Sequence, residues 1–373
     1  MKVVVDRDIP FLQGVLEPYA EVVYSKGSDI DAALVRSADA VLVRTRTRCD
    51  EALLRGSSVS FVGSATIGAD HVDVPALQRM GVRFVNVPGC NAGGVMQYVF
   101  TALYGLLSRG TDVLAPEPDA VGEQGRTLGV IGVGHVGSQV VRVAQALGFR
   151  VLACDPPRHA AEFAQEPQVS PFVDLDCLLA ASDIVTVHVP LDTTTRGMIN
   201  EDFLSRMKPG SILINSSRGP VARGAALIRA RRSGQLGALV LDVWPGEPEL
   251  DLELLACADV ASPHIAGYSH EGKVNGTVGV VRAMAQHFGW TSLVDFLPEV
   301  AVEAVPRWSM KALRTETHAQ LAHRFEGIFD LPGISARLKA SPEDFEEFRS
   351  SFHFRREFDF DFDEKDCLPK KES

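Results

Sequence analysis

The run Gly132-Val133-Gly134-His135-Val136-Gly137 is the sequence feature that most restricts the fold. It lies between an apolar segment that predicts a strand, residues 127–133, and an amphipathic segment that predicts a helix, residues 138–147. In such a setting the first glycine permits a tight turn, the second lets the backbone approach a ligand, and the third lets the helix pack on the strand. The run therefore predicts a βαβ unit whose helix N-terminus favours an anion. For the motif alone, a glycine-rich turn without a ligand is the alternative.

Asp155 ends the next predicted strand, residues 150–154, about 20 residues after the glycines. An acidic residue at this place accepts hydrogen bonds from the adenosine ribose hydroxyls and repels a 2′-phosphate. It therefore predicts NAD as the cofactor rather than NADP, although Arg158 would offset part of the repulsion. A helix-capping or solvated aspartate is the alternative interpretation.

Short β-rich runs alternate with helix-length segments along most of the chain, which predicts parallel α/β sheets. The predicted strands of the first ninety residues are 3–5, 21–24, 40–43, 61–63 and 84–87. After a long apolar helix at 92–107, six more strands are predicted at 127–133, 150–154, 184–189, 211–215, 238–243 and 259–261. The second set predicts a six-stranded doubly wound sheet. Beyond residue 290, polar helices precede aromatics at 352, 354, 358, 360 and 362 that predict a strand with one buried face.

The composition excludes several classes of protein. The chain has 48 acidic and 37 basic residues, a formal net charge of −11, which disfavours a nucleic-acid-binding role. The sequence shows neither a signal-like apolar run at its start nor a stretch of about 20 apolar residues, so we expect a cytoplasmic protein without a membrane segment. The six cysteines lack Cys-x-x-Cys spacing and predict neither a metal site nor a disulfide framework.

Three polar segments follow predicted strands of the second sheet, residues 215–219, 241–248 and 262–268. Their side chains should gather at the carboxyl edge of that sheet, where ligands bind. Oxidation of a 2-hydroxy acid needs a base for the hydroxyl proton and a cation for the carboxylate. His264 fits the base, Glu247 its orienting carboxylate, and Arg218 the cation through its planar fork of donors. Each residue alone also suits an ordinary loop role, but together they predict a catalytic set.

With these motifs the chain resembles the D-2-hydroxyacid dehydrogenase family along nearly its whole length. Within the family it is similar to the members that act on 4-phosphoerythronate, through Pro88-Gly89-Cys90-Asn91-Ala92, Cys154-Asp155-Pro156-Pro157-Arg158 and Ile265-Ala266-Gly267-Tyr268-Ser269. The resemblance implies that Arg218, Glu247 and His264 are catalytic. It places Asp155, Asp242 and Gly267 around NAD, with Asp242 near the nicotinamide carboxamide. It implies substrate contacts at Thr45, where serine is more typical, and at Thr66 and Tyr268.

The implied fold is α/β in three parts. A flavodoxin-like substrate-binding domain would comprise residues 1–95 with about 268–290. A Rossmann-like NAD-binding domain would comprise 96–267. A small α+β domain at 291–373 would form a homodimer.

A phosphorylated substrate needs cations away from the nicotinamide. Arg44, Arg46 and Arg48 leave the third strand of the first domain and are candidates, Arg44 above all because it adjoins Thr45. A solvated basic loop is the alternative for Arg46 and Arg48. Arg355 or Arg356 from a partner subunit is a further candidate for the phosphate.

We therefore expect NAD-dependent oxidation of 4-phospho-D-erythronate to 2-oxo-3-hydroxy-4-phosphobutanoate, a step of pyridoxal 5′-phosphate (vitamin B6) biosynthesis. Two alternatives stay open. One is another D-2-hydroxyacid dehydrogenase, such as one acting on 3-phosphoglycerate, which would share the catalytic residues. The other is a non-enzymatic NAD-sensing protein on the same fold.

Overall fold

A computed structural model describes residues 1–110, 125–163, 171–299 and 305–362. The chain divides into two compact units. The first comprises Met1–Asn91 and Ser269–Ala304, and the second Ala92–Tyr268 and Val305–Ser373. In the described part of the chain, no helix combines the length and the apolar character needed to cross a membrane.

The first unit is built on a five-stranded parallel sheet of order β2-β1-β3-β4-β5. Its strands are β1 (Lys2–Asp6), β2 (Glu21–Ser25), β3 (Ala40–Val43), β4 (Phe61–Ser64) and β5 (Arg83–Val85). Between them lie a 3₁₀ turn (Gly27–Asp29) and three short helices, α1 (Ala32–Val35), α2 (Glu51–Leu54) and α3 (Val74–Arg79). An aspartate caps the N-terminus of each helix by accepting a backbone N–H, namely Asp31, Asp50 and Asp73. The flavodoxin-like strand order matches the prediction for this part of the chain.

The second unit contains a six-stranded parallel sheet of order β11-β10-β9-β8-β6-β7. Its strands are β6 (Thr127–Ile131), β7 (Arg150–Cys154), β8 (Ile184–Val187), β9 (Ser211–Asn215), β10 (Leu236–Leu241) and β11 (Val260–Ala261). Phe172 forms an isolated parallel bridge with Ala153 of β7 and so extends this edge of the sheet. The chain adds β7 on one side of β6 and then β8 on the other side, so the order of the strands reverses between β6 and β8. This topological switch point is where doubly wound sheets bind their ligands.

Helices cover both faces of this sheet. They are α4 (Ala92–Ser108), α5 (His135–Leu147), α6 (Pro156–Phe163), α7 (Leu175–Ala181), α8 (Glu201–Arg206), α9 (Gly224–Arg232) and α10 (Leu252–Cys257), with a 3₁₀ turn at Gly219–Val221. In α5 the buried residues Val140, Val143, Ala144 and Leu147 recur at helical spacing and pack in one core with α4 and β6. Gly148 ends α5 in the left-handed conformation. The second core, on the opposite face, includes Val185, Leu213 and Leu239.

The chain returns to the first unit with α11 (His270–Phe288) and a 3₁₀ turn (Thr291–Leu293). Ser269 begins α11 by accepting the Gly272 N–H. The buried face of the helix, which includes Val280, Val281 and Met284, packs in one core with residues of β1, β3 and β4.

The C-terminal segment packs with the second unit. It contains β12 (Arg307–Ser309), α12 (Met310–Leu313), α13 (His318–Glu326), α14 (Leu331–Ala340), a 3₁₀ turn (Pro342–Asp344), α15 (Phe345–Ser350) and β13 (Asp359–Asp361). Thr317 and Gln320 form a capping box at the start of α13. Phe325, Phe329 and Phe358 belong to the same core as α4 and α5. A separate dimerisation domain at 291–373 stays a prediction.

The expected aromatic strand over 352–362 is wrong in its extent. Only Asp359–Asp361 forms a strand, and it pairs in parallel with β12. The one-sided burial nevertheless holds, because Phe352, Phe358 and Phe360 pack on the core of the second unit. The alternation fails at Arg355, whose buried guanidinium donates to backbone carbonyls instead of facing solvent.

Candidate active site

The turn after β6 requires glycine at two positions. Gly132 has φ +84°, and a Cβ there would lie 2.7 Å from the carbonyl oxygen of His188. A Cβ on Gly137 would collide with the carbonyl oxygen of Gly132. At Gly134, in contrast, no atom of the described residues other than its chain neighbours lies within 4 Å of the Cβ position. The turn is thus tight on its protein side and open at Gly134, as close approach of a ligand to the backbone requires.

Asp155 stands at the end of β7 and is tied to this turn. Its Oδ2 accepts the Val133 N–H at 2.7 Å and its Oδ1 accepts the Arg158 N–H at 3.0 Å. The Arg158 guanidinium in turn donates to the Val133 carbonyl oxygen. A carboxylate has about four acceptor positions, so both oxygens keep capacity for the hydroxyls of a ribose.

Two further observations test whether these residues fit a dinucleotide. His135 and Val136 form the first turn of α5, where N–H groups and the helix dipole favour a pyrophosphate. The Ser216 hydroxyl, which follows β9, is buried and has no hydrogen-bond partner in the structure. A buried hydroxyl of this kind is expected to meet a ligand or ordered water. The N–H groups at the start of α5, the Ser216 hydroxyl, the glycine turn and Asp155 therefore fit NAD.

His188, just beyond β8, was not anticipated from the sequence. Its N–H donates to the Ile131 carbonyl oxygen at 2.7 Å, and its Nε2 lies 3.0 Å from the Thr186 hydroxyl. Burial lowers the pKa of His188 to about 3, so the ring is neutral at physiological pH. It joins β6 and β8 at the switch point. A histidine directly after an apolar strand was the available signal.

The loop after β9 presents Arg218. The Asn215 side chain closes the turn, because its Oδ1 accepts the Ser217 hydroxyl at 2.7 Å and its amide donates to the Arg218 carbonyl oxygen at 3.3 Å. Gly219 is required next, since a Cβ there would collide with the backbone of Trp244. Close packing of the loops after β9 and β10 thus places Arg218, which is half-buried.

Asp242, directly after β10, organises the loop that carries His264. Its side chain is only 1% exposed. Oδ1 accepts the Ser262 hydroxyl at 2.7 Å and the Ile265 N–H at 2.8 Å, and Oδ2 accepts the Ala266 N–H at 2.9 Å. Its own carbonyl oxygen accepts the His264 N–H at 2.7 Å. Burial raises the pKa of Asp242, and His264 and the three donors oppose the rise. A contact with the nicotinamide stays a prediction.

Glu247 and His264 form a hydrogen-bonded pair, with 2.5 Å between Glu247 Oε1 and His264 Nδ1. The two side chains are 24% and 23% exposed, so they are shielded yet accessible. Burial alone would raise the pKa of Glu247. The hydrogen bond and charge of His264, the charge of Arg349 and the Trp244 N–H instead hold it below the ordinary value. Glu247 is therefore a carboxylate at neutral pH.

The pair has a direct chemical consequence. An ionised carboxylate can only accept, so Nδ1 of His264 carries the proton in the neutral ring. Nε2 is then the basic nitrogen of the ring, and Glu247 stabilises the imidazolium formed when Nε2 takes up a proton. This arrangement suits a base that removes a hydroxyl proton.

Tyr268 lies four residues after His264 and is held by the C-terminal segment. Its ring contacts Phe352 and Phe354 edge-on, with centroids 6.4 and 6.1 Å away. Arg355 donates to the carbonyl oxygens of Tyr268 and Ala266 at 2.8 and 2.9 Å, so the backbone on both sides of Gly267 is fixed. The expectation that Arg355 reaches a partner's substrate is therefore corrected. Its guanidinium is buried within its own chain.

The predicted substrate residues of the first unit lie where β3 and β4 end. Thr45 is exposed in a turn. The Thr66 hydroxyl lies 2.8 Å from that of Ser64 and donates to the Gly68 carbonyl oxygen. Arg44 forms ion pairs with Asp6 and Asp8 at 3.2 and 2.8 Å, so two carboxylates already balance its charge. Substrate binding by Arg44, Thr45 and Thr66 stays a prediction.

The structure thus brings Arg218, Asp242, Glu247, His264 and Gly267 to the carboxyl edge of one sheet, as their positions after β9, β10 and β11 predict. Within the described ranges, no group of three or more histidine, cysteine or acidic side chains is arranged to hold a metal ion.

Comparison with known proteins identifies the family. Residues 110–266 match the model "D-isomer specific 2-hydroxyacid dehydrogenase, NAD binding domain". A Bacteroides fragilis protein named erythronate-4-phosphate dehydrogenase is 38% identical over 363 residues, which are 96% of this chain and 97% of that protein. A Yersinia pestis protein of the same name is 37% identical over 366 residues, or 96% and 93% of the two chains. The chain belongs to the D-2-hydroxyacid dehydrogenase family.

Solved structures of this family agree. The D-lactate dehydrogenase of Aquifex aeolicus, complexed with NAD and lactic acid, is 26% identical with a TM-score of 0.65, and the match covers 81% of this chain and 100% of that one. The NAD-bound 3-phosphoglycerate dehydrogenase of Entamoeba histolytica, 22% identical with a TM-score of 0.62, shares the fold. The expected fold class, family and NAD cofactor are confirmed.

Proposed function

We propose that this dehydrogenase oxidises C2 of 4-phospho-D-erythronate with NAD and yields 2-oxo-3-hydroxy-4-phosphobutanoate in the vitamin B6 pathway. The reaction converts a C2–H and an O–H bond into a carbonyl. The C2 hydrogen leaves with both bonding electrons, as a hydride, for which bound NAD would supply the acceptor, and the hydroxyl proton goes to the protein.

The name of the relatives supports this substrate, since they align with 96% of the chain rather than with the dinucleotide-binding region alone. A phosphorylated four-carbon acid also suits the basic turn that follows β3. Thr45 and Arg46 are exposed there. We propose that this turn contributes to binding of the phosphate.

Each catalytic side chain has one role. Nε2 of His264 accepts the hydroxyl proton, and Glu247 stabilises the resulting imidazolium through Nδ1. The Arg218 guanidinium holds the substrate carboxylate and the developing carbonyl oxygen. Tyr268 contacts the substrate. The hydrogen bond between Glu247 and His264 is the observation on which this mechanism depends, because it determines which ring nitrogen is the base.

The test is the reduction of NAD by purified protein, followed at the nicotinamide absorbance band, with 4-phosphoerythronate, 3-phosphoglycerate and D-lactate in parallel. Hydrazine in the assay traps the 2-oxo product. We expect reduction with 4-phosphoerythronate. Reduction with another acid alone would keep the mechanism and reject the substrate. Binding of NADH without any turnover would favour the NAD-sensing alternative.

The matched control is His264→Ala. The catalytic ring is lost while the glycine turn and Asp155 are untouched. We expect turnover to disappear and NADH affinity to stay within about threefold of wild type, a difference below ~1 kcal/mol.

We further propose that the enzyme is a cytoplasmic homodimer. The described cysteines, Cys49, Cys90, Cys154, Cys177 and Cys257, are free thiols, as is usual in a reducing compartment. The dimer is proposed from the family resemblance of the C-terminal segment. Light scattering after size-exclusion chromatography measures the mass, and a value near 40.3 kDa, that of one chain, would reject it.

A further inference from the structure

Arg349, in helix α15 of the C-terminal segment, packs against Tyr268 of the candidate active site. Its side chain is 8% exposed. Its guanidinium carbon lies over the Tyr268 ring, 5.9 Å from the centroid, and Tyr268 is among the groups that raise the pKa of Arg349. A residue of the C-terminal segment thereby holds a side chain that the proposed function assigns to the substrate.

The charge of Arg349 also acts on Glu247 of the catalytic pair. Burial lowers the pKa of Arg349, but its interactions with Tyr268, Glu247 and Glu346 raise the pKa by more. The net pKa is above the ordinary value, so the side chain is a cation. Arg349 in turn is one of the groups that lower the pKa of Glu247. One guanidinium thus interacts with both Tyr268 and the carboxylate that orients His264.

A purely structural role does not account well for this burial. The Nε of Arg349 is buried and has no hydrogen-bond partner among the described residues, which is a costly state for a charged group. Arg355 already ties the same loop through the backbone carbonyls of Ala266 and Tyr268, and it also donates to the Gly94 carbonyl in α4. A second buried arginine is therefore not needed to attach the segment to the loop.

We propose that Arg349 is a positioning residue of the active site, which fixes the Tyr268 side chain for substrate and places a positive charge beside the Glu247–His264 pair. The catalytic loop and the C-terminal helix α15 then form one functional unit. The assignment to substrate binding rests on the proposed function, whereas the effect on the pair does not.

The charge has a predictable effect on protonation. The charged groups that interact with the pair are Asp242, whose pKa His264 lowers, and Arg349, which lowers the pKa of Glu247. Tyr268 and Glu346 face Arg349 itself. Removal of the guanidinium leaves the negative groups unopposed, so the pair should take up its proton at a higher pH.

The experiment compares Arg349→Gln, Arg349→Lys and Arg337→Gln with wild type. Arg337 is the matched control, since its guanidinium lies over the ring of Phe348 in the same segment, 4.0 Å from the centroid. For Arg349→Gln we expect KM for 4-phosphoerythronate to rise about tenfold, the size of one lost contact between a desolvated cation and an aromatic ring. The acidic limb of kcat/KM should move to higher pH. Arg349→Lys should return the acidic limb of kcat/KM to its wild-type pH but recover only part of the wild-type KM. Arg337→Gln should change neither quantity.

A second readout needs no turnover. Imidazole NMR of the protein without substrate, with the His264 signal assigned from His264→Ala, follows proton uptake by the pair. We expect uptake at higher pH in Arg349→Gln than in wild type or Arg337→Gln. If wild type does not oxidise 4-phosphoerythronate, the proposed function fails and this titration still decides the role of Arg349. Unchanged titration in a folded Arg349→Gln variant, or an equal shift in Arg337→Gln, would overturn the proposal.

Discussion

Replacement of Asp242 by asparagine should damage both stability and catalysis, because three donors converge on this carboxylate. The Ser262 hydroxyl and the Ile265 N–H reach Oδ1, and the Ala266 N–H reaches Oδ2. An amide has one acceptor oxygen. Whichever way it is turned, its NH₂ group faces a backbone N–H, which is left without an acceptor in a site that is only 1% exposed.

The magnitude follows from these contacts. A lost hydrogen bond to a charged group costs about 1.5–3 kcal/mol, and a buried unsatisfied N–H about 1–3 kcal/mol. Relief from burying a charge, the cause of the raised pKa of Asp242, offsets part of this sum. We therefore expect a loss of about 2–4 kcal/mol in the free energy of unfolding. His264 lies between Ser262 and Ile265, so its ring should shift, and a displacement of ~1 Å costs about 100-fold in rate.

The assays are thermal unfolding and kcat/KM. Asp259→Asn is the control, since Asp259 accepts the Leu239 N–H at 2.7 Å and pairs with Arg231 at 3.1 Å before β11, at the other end of the same strands. It should lose stability and keep most of its kcat/KM. If Asp242→Asn keeps kcat/KM within about threefold of Asp259→Asn, the carboxylate does not position His264 and the reasoning is refuted.

Three further predictions concern the pair and the cofactor site. Glu247→Gln removes the charge that stabilises the imidazolium and should lower kcat/KM about 10–100-fold, the effect of ~1.5–3 kcal/mol. The pKa of Glu247 is below the ordinary 4.5, so wild type should be more stable than this variant above that pH. Thermal unfolding should show the stability difference shrinking as the pH falls through the lowered pKa of Glu247. A difference that stays constant with pH contradicts this. Gly137→Ala places a methyl against the Gly132 carbonyl and should weaken NADH binding at least about tenfold in a fluorescence titration, whereas Gly289→Ala, a left-handed helix end in the other unit, should not. Asp155→Ala should weaken NADH binding by a similar factor with little effect on kcat at saturating cofactor, and an equal loss of both would point to misfolding.

Much of the fold could be predicted because most of its strands are buried on both faces, the edge strands β2, β5 and β7 being the exceptions. Strands of that kind appear in the sequence as continuous apolar runs, and all eleven predicted in the two sheets are found, with ends that differ by a few residues. The gathering of the proposed catalytic residues could be predicted for a related reason. Arg218, Glu247 and His264 each follow a strand of one parallel sheet, so the topology alone brings them to the same edge.

The contacts made by the C-terminal segment could not be predicted in this way. Arg355 meets Tyr268 and Ala266 at separations of 87 and 89 residues, and no periodicity signals such a pairing. The pattern of aromatics indicated a long strand. Alternation shows which side chains are buried, but it does not show which residues form the hydrogen bonds of a sheet. Asp242 was assigned to the cofactor alone, since its acceptance of three donors depends on the path of the loop at 262–266.

The backbone of His264 explains why these contacts converge on one loop. His264 has φ +57°, a left-handed conformation that costs a residue with a Cβ about 1–3 kcal/mol and persists only where the surroundings impose it. Asp242 imposes it through the N–H groups of His264, Ile265 and Ala266, and Glu247 fixes the ring. Arg355 holds the carbonyl oxygens that follow, at Ala266 and Tyr268. The proposed catalytic base is therefore held in place by contacts that reach into the C-terminal segment of the same chain.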